Sequence, residues 1–303
     1  MAEVFHDEES DKKSYLRNKP LQPFSQFPYK LILLLFAAAL FSVLLTDYAR
    51  SLGKRNILNS QTILSDRFRR HFLSESKVSE MRDLEQRERG ASAGIYILNH
   101  WNRSGGREQS ITKPEAAVGN DTFWKENPAW EGYLMACNAI WNDVVYFPVP
   151  VSASHENYTV SYVDSWMGER NYGGKRGHEG TDLMASEDQP GLYPVVSMTK
   201  GTVTSKGWLP KGGYRLGIMA PSGGYFYYAH LDSYADIEEG DEVDAGDILG
   251  FMGDSGYGPE GTTGMFATHL HVGIYIYPDG KEVSVNPYWI LRVIEEKKLS
   301  CSF

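Results

Sequence analysis

Along the chain the hydrophobic pattern changes period three times, and each change predicts a different kind of element. Leu31 to Leu45 form an uninterrupted, uncharged run, Leu-Ile-Leu-Leu-Leu-Phe-Ala-Ala-Ala-Leu-Phe-Ser-Val-Leu-Leu. Tyr29, Thr46 and Tyr48 extend it, and tyrosines at both ends suit the two interfaces of a bilayer. The run predicts a transmembrane anchor over residues 29–48, near the roughly 20 residues that span a hydrocarbon core. A cleaved signal peptide is the rival for so short an apolar segment, but Asp47-Tyr48-Ala49 is a poor cleavage site. Lys12, Lys13, Arg17, Lys19 and Lys30 before the run outweigh Arg50, Lys54 and Arg55 after it. That bias places the N-terminus inside and the rest of the chain outside. Residues 1–28, polar with Pro20, Pro23 and Pro28, read as a disordered cytoplasmic tail.

From Ser51 to Arg89 charges are dense and breakers few. Ile57, Leu64, Phe68 and Phe72, then Val78, Met81 and Leu84, recur at loose helical spacing. Residues 49–90 are therefore expected to form a helical stalk, solvated or, as a sharper alternative, a short coiled coil joining two copies. Gly, Ser and Asn punctuate the chain up to Asn120, and Trp124, Trp130 and Trp141 follow, with helix expected over Trp130–Asn142. This intervening region, 91–145, either packs on the domain that follows or covers its cleft.

Beyond Tyr146 the texture becomes short β-rich runs broken by glycine: Tyr158–Val163, Tyr193–Met198, Gly201–Ser205, Arg215–Ala220, Tyr225–His230 and His269–Tyr277. Such spacing predicts an all-β, mostly antiparallel domain over 146–303 whose sheets form a groove. Helical periodicity returns only at Tyr288–Lys298. Successive strand side chains point to opposite faces. His269, His271, Gly273, Tyr275 and Tyr277 would thus share an open face, with Leu270, Val272, Ile274 and Ile276 on the core face.

Charge refines this division. The 303 residues carry a formal net charge of −9, but the part from Tyr146 onward holds 21 acidic and 11 basic residues, a net of −10. An acidic domain argues against nucleic acid as a partner. Cys137 and Cys301 fit no zinc-ribbon or redox spacing and read as unpaired, although a bridge is open to them outside the cytoplasm.

The candidate chemistry lies in three clusters: Gly177-His178-Glu179-Gly180-Thr181-Asp182, Tyr228-Ala229-His230-Leu231 and Thr268-His269-Leu270-His271-Val272. A catalytic zinc usually has three N, O or S ligands from the protein and one open water position. His178, Asp182 and one histidine of the His-x-His pair supply that number, which leaves two histidines for proton chemistry and points to a hydrolase. His178-Glu179 is not a zincin motif, because Asp182 stands where a second histidine would be needed. The acidic run Glu238–Asp247 lacks the alternation of an EF-hand and reads as an exposed hairpin. The same run resembles the turns of biotinyl and lipoyl carriers, but no lysine lies between Arg215 and Lys281 to be modified. His100 and His155 have no nearby partner residues and read as surface or packing histidines.

Taken in order, these residues resemble the lysostaphin/LytM-type zinc endopeptidases, which include β-lytic and glycyl-glycine peptidases that cut bacterial peptidoglycan. The resemblance runs over about residues 147–291. It includes Phe147-Pro148-Val149, Met167-Gly168-Glu169-Arg170, His178-x-Gly-x-Asp182, Tyr228-Ala-His230-Leu, Gly240-Asp-x-Val-x-Ala-Gly-Asp-x-Leu-Gly250, Gly253-Asp-Ser-Gly256, His269-Leu-His271 and Asn286-Pro287. It implies zinc held by His178, Asp182 and His271, with His230 and His269 as catalytic histidines. His269 is favoured as base and His230 as oxyanion stabiliser. With the anchor and orientation read from the apolar run, it points to a bacterial, single-pass membrane enzyme whose extracytoplasmic domain hydrolyses amide bonds in peptidoglycan stem peptides or cross-bridges. The alternatives are a non-catalytic peptidoglycan- or partner-binding scaffold of a cell-envelope complex and an enzyme acting on a protein. The stalk would then serve an envelope partner or a homodimer. Departures from the family pattern fall in Tyr257–Thr268, Ser186–Leu192 and Trp208–Gly213, segments expected to wall the groove and set substrate choice.

Overall fold

The computed structural model describes residues 27–101, 111 and 122–303. The expected polar tail and the punctuated stretch before Asn120 lie largely outside the described residues. Two compact units are distinguished, one ending at Gly53 and the other comprising Lys54–Phe303.

Helix α1 (Phe27–Ile57), most of which belongs to the first unit, contains the apolar run. Its segment Tyr29–Ala49 has 21 residues, a mean hydropathy of 2.2 and no burial within the chain, so it is long and apolar enough to cross a membrane. The Thr46 hydroxyl donates to Ser42 O at 2.7 Å, which satisfies a polar group within the helix.

The second unit joins a helical layer to a β domain. Helices α2 (Asp66–Arg70), α3 (Glu75–Arg82), α4 (Gln86–Trp101), α5 (Thr122–Lys125) and α6 (Trp130–Trp141) precede the strands, and α7 (Tyr288–Ile294) follows them. The stalk segment is helical, as its apolar stripe predicts, but it is neither one rod nor solvated. His71, in the left-handed region at φ 47°, ends α2, and Ser65 starts it by accepting from Phe68 N. Phe68, Val78, Met81 and Leu84 are buried inside the chain while Leu64 and Phe72 are exposed, so most of the seam that a coiled coil would use is occupied. Several contacts, among them the following, fasten this layer to the β domain. Asn286 N donates to Arg69 O at 2.8 Å. Arg82 donates to the terminal carbonyls of α7, Arg292 O and Val293 O, at 2.7 and 3.3 Å. Arg292 in turn donates to Glu75 at 2.9 Å.

Helices α4 and α6 pack at glycine. A Cβ on Gly90 would lie 2.7 Å from Asn138 Cα, and one on Gly94 would lie 2.8 Å from Cys137 Sγ. Backbone cannot rotate away as a side chain can. Gly90→Ala is therefore expected to destabilise, although alanine gains up to about 1 kcal/mol over glycine in a helix interior. Overpacking of this kind costs about 1–3 kcal/mol, so the urea midpoint should fall; an unchanged or raised midpoint would show that the helices can separate freely. Cys137 is buried in α6 and Cys301 half-buried in the last strand, as two free thiols.

Among the described residues one ten-stranded sheet carries the β domain, with the order β10–β7–β8–β9–β12–β5–β2 along its main path. The strands are β2 (Val160–Ser161), β5 (Thr181–Ala185), β6 (Pro194–Val196), β7 (Gly201–Leu209), β8 (Gly213–Met219), β9 (Tyr225–Tyr234), β10 (Glu242–Val243), β11 (Ile248–Met252), β12 (His269–Ile276) and β13 (Val283–Val285). Every pairing in this sheet is antiparallel. Two small ladders flank it: β1 (Val151–Ser152) parallel to β14 (Ser300–Cys301), and β3 (Glu169–Arg170) antiparallel to β4 (Arg176–Gly177). Leu270, Val272, Ile274 and Ile276 of β12 are buried in the core, each stabilising by about 1.5–3 kcal/mol. The alternation expected of β12 thus holds, and its other face opens into a cleft.

Candidate metal centre and catalytic cleft

A cleft of about 490 Å³ lies on the open face of the sheet. Sheet register builds it. His271 on β12 stands opposite Asp182 on β5 on one side and Ala229 on β9 on the other. His178, just after β4, enters from the loop before β5. All five histidine and aspartate candidates, His178, Asp182, His230, His269 and His271, line this one cleft. Among the described residues none from the helical layer lines it, although Arg69 of that layer donates to the cleft residue Glu179 at 2.6 Å.

Three of the five converge. His178 Nε2 lies 3.0 Å from Asp182 Oδ1 and 3.1 Å from His271 Nδ1, and His271 Nδ1 lies 2.9 Å from the same Oδ1. Two imidazole nitrogens and one carboxylate oxygen so placed match the donor number and type of a catalytic zinc site. Burial alone would raise the Asp182 carboxyl, but hydrogen bonds from His178 and His271 and their charge outweigh it and hold it well below the usual carboxylate range. Burial lowers the His271 pKa, with Asp182 pulling partly the other way. Both effects favour the deprotonated forms that bind a metal.

Outer partners orient two of the three ligands. Ser165 Oγ lies 3.0 Å from His178 Nδ1, and Arg170 on β3 donates to Asp182 Oδ2 at 2.6 Å. Arg170 therefore leaves Oδ1 as the free coordinating oxygen. Gly180 provides the space for the His271 ring, which a Cβ there would overlap. Loss of an outer partner typically weakens a metal site by about 10–100-fold. Arg170→Gln should raise the zinc dissociation constant by that order in a chelator competition, and an unchanged constant would deny Arg170 this role.

His230 and His269 lie beside the trio. His269 Nε2 is 3.9 Å from Asp182 Oδ1, and the two imidazole centroids are 4.7 Å apart. Each ring is fixed through Nδ1 by a backbone carbonyl, His230 by Ser255 O at 2.7 Å and His269 by Ala267 O at 2.8 Å. A carbonyl only accepts, so Nδ1 carries the proton and the neutral ring keeps a lone pair on Nε2. Burial, and after it the charge on His269 and His271, pushes His230 down to about 3. Phe266 packs edge-on against both rings, with centroids 4.6 and 4.9 Å away.

Strand alternation alone would not put His230 in this cleft. Phe226 and Tyr228 of β9 face the core while Tyr225 and Tyr227 line the cleft, so strict alternation would send His230 into the core. Between the pairs Leu216↔Tyr228 and Tyr214↔Leu231, β9 spends one residue more than β8. That bulge, with His230 at φ +62°, turns its ring to the open face. Such bulges re-aim side chains beside active sites, and left-handed non-glycine residues are costly enough to persist where the surrounding structure holds them. Gly256, at φ +127°, explains part of the Gly253-Asp-Ser-Gly256 motif, since a Cβ there would crowd His230 Nδ1 at 3.2 Å.

Two of the three segments that depart from the family pattern line the cleft, Trp208–Gly213 through Leu209, Lys211 and Gly212 and Tyr257–Thr268 through Tyr257, whereas Ser186–Leu192 does not. Tyr172, between β3 and β4, stacks on Tyr257 with centroids 4.2 Å apart and planes 2° from parallel. Thr268 is tied to Asp188 through its amide and hydroxyl, at 2.7 and 2.8 Å. Residues with site roles that the motifs did not assign are Ser165, Arg170 and Phe266. Only Arg170 left a signal, in Met167-Gly168-Glu169-Arg170.

Fold and site together define a metallopeptidase-type centre on an antiparallel β scaffold. The sequence matches Peptidase family M23 over residues 176–287 and the LytM N-terminal domain over residues 53–143. A crystal structure from Ruminococcus gnavus ATCC 29149, provisionally named a glycyl-glycine endopeptidase lytM, is 50% identical with a TM-score of 0.75, covering 82% of this chain and 98% of its own. The chain belongs to the LytM-type M23 peptidases. The L-Ala--D-Glu endopeptidase of Bacillus subtilis (strain 168) is 43% identical over 49% of this chain and 43% of its own length. Glycyl-glycine endopeptidase ALE-1 of Staphylococcus capitis is 28% identical over 39% of this chain and 32% of its own. The chain thus spans less than half the length of these two curated relatives.

Proposed function

We propose that the protein is a membrane-anchored zinc endopeptidase that hydrolyses peptide bonds of bacterial peptidoglycan, with α1 as its anchor and the β domain outside the cell. The observation that carries this is the convergence of His178, Asp182 and His271 beside two carbonyl-fixed histidines in one cleft. A zinc ion held by His178, Asp182 and His271 would supply Lewis acidity to the scissile carbonyl and to water. The remaining chemistry belongs to the chain. His269 Nε2, the nearer to the trio, accepts the proton of the attacking water. His230, neutral at rest with its acceptor facing the cleft, becomes a donor to the oxyanion only when it carries a proton. The pair therefore handles one proton, taken from water, held while negative charge sits on the carbonyl oxygen, and delivered to the leaving amine. Tyr257, with Tyr172 stacked on it, flanks His230 at 6.2 Å between ring centroids.

A non-catalytic scaffold of an envelope complex is less well supported, because no member of the five-residue set is replaced. Purified peptidoglycan incubated with the zinc-loaded chain should release fragments with new amino termini, identified by mass spectrometry. Zinc-loaded protein that releases none from any wall type would favour the scaffold.

A further inference from the structure

Four of the eleven basic residues of the acidic β domain line the catalytic cleft: Arg170, Arg176, Lys211 and Arg215. Arg170 is engaged by Asp182. The cleft's other carboxylates are engaged elsewhere, Glu179 by Arg69 of the helical layer at 2.6 Å and Glu282 by the Tyr277 hydroxyl at 3.2 Å. Among the described residues no carboxylate pairs with the other three cations. Arg176 Nε and Arg215 Nη1 are shielded from solvent and have no hydrogen-bond partner. A shielded guanidinium N–H without an acceptor is costly, and a carboxylate is the planar group it matches best.

Register gives Arg215 its distance from the chemistry. Asp182 pairs with His271, and His271 pairs with Ala229. Arg215 stands between Tyr214 and Leu216, whose partners Leu231 and Tyr228 bracket the Ala229–His230 bulge. Asp182, His271, Ala229 and Arg215 thus form one row across the sheet. Two strand spacings, about 10 Å, separate Arg215 from His271, the span of a peptide residue or two with its side chain.

We propose that Arg215 and Arg176 form a carboxylate-binding subsite selecting peptides with an acidic residue within one or two positions of the scissile bond. Lys211 adds attraction at its exposed edge. A glycine bridge offers no such group, whereas a glutamate-containing stem peptide does. The proposal rests on the peptidase function above for the words "scissile bond", but the carboxylate site itself is testable by binding alone.

The test uses the full zinc-loaded chain in detergent carrying His269→Ala, so that bound peptide persists. Calorimetry compares an L-Ala–D-Glu peptide with the isostere in which a carboxamide replaces its free carboxylate. The acid should bind about 10–100-fold tighter, the worth of one or two charge-assisted hydrogen bonds. That ratio should fall towards one in Arg215→Gln and in Arg176→Gln, with part of it kept in Arg215→Lys; zinc content reports that each variant is folded. Equal affinity for acid and amide, no binding of either, or an undiminished ratio in the Arg176→Gln/Arg215→Gln chain would overturn the subsite. Cleavage by the parent chain is scored separately on the same peptides. Acid-selective binding without hydrolysis counts against the peptidase function and leaves the subsite standing, whereas equal kcat/KM on both peptides removes the subsite and leaves the peptidase.

Discussion

A His271→Ala chain is expected to leave purification with almost no zinc and no peptidase activity, against close to one zinc per chain for the parent. His271 Nδ1 lies 2.9 and 3.1 Å from the other two ligand atoms, so its loss opens the trio on one side. The effect should exceed the about 10–100-fold weakening that follows loss of an outer partner. The substitution also removes one of the hydrogen bonds holding Asp182 ionised, while the Arg170 contact remains, so the carboxylate is not left buried and unpaired. Zinc should raise the melting temperature of the parent, because a ligand that binds only the folded state stabilises it by mass action. It should leave His271→Ala unmoved. A variant that still binds one zinc tightly would place the metal elsewhere.

Alanine at His269 or at His230 should separate chemistry from metal binding. Neither is within the converging trio, so zinc content should stay near one per chain while kcat falls by about 10²–10⁴-fold, the usual worth of a positioned proton-transfer group. If the two histidines handle a single proton between them, the losses will not add. The double variant should be little slower than the worse single one, as groups acting as a unit behave. Full additivity would mean that the two act in independent steps, and loss of zinc from either would make it a ligand.

Much of the site was legible before the structure because its logic is local. The period-two pattern of β12 put His269 and His271 on one face, and a strand has few ways to break that rule over eight residues. His178-x-Gly-x-Asp182 carried its own constraint, since Gly180 is where the His271 ring lies. His230 was different. Its cluster was visible, but its orientation depends on an extra residue in β9 and a left-handed backbone, and neither leaves a pattern in hydrophobicity. Arg170 is near its partner in space because β3 and β4 fold back beside β5, a non-local event that spacing does not encode. The helical layer shows the same limit. Its stripe was readable, but not that the stripe would be buried in the chain or that Gly90 and Gly94 would set the approach of α6 to α4. For α1 the reverse holds: length and apolarity alone predict the helix.

The central claim is that hydrolysis depends on one zinc held by His178, Asp182 and His271. Titration of the metal-stripped chain with zinc, following peptidoglycan peptide cleavage at each addition, tests it most directly. Activity should rise in proportion to zinc and level off at one equivalent per chain. Cleavage at full rate before any zinc is added, or one tightly bound equivalent with no cleavage, would contradict it.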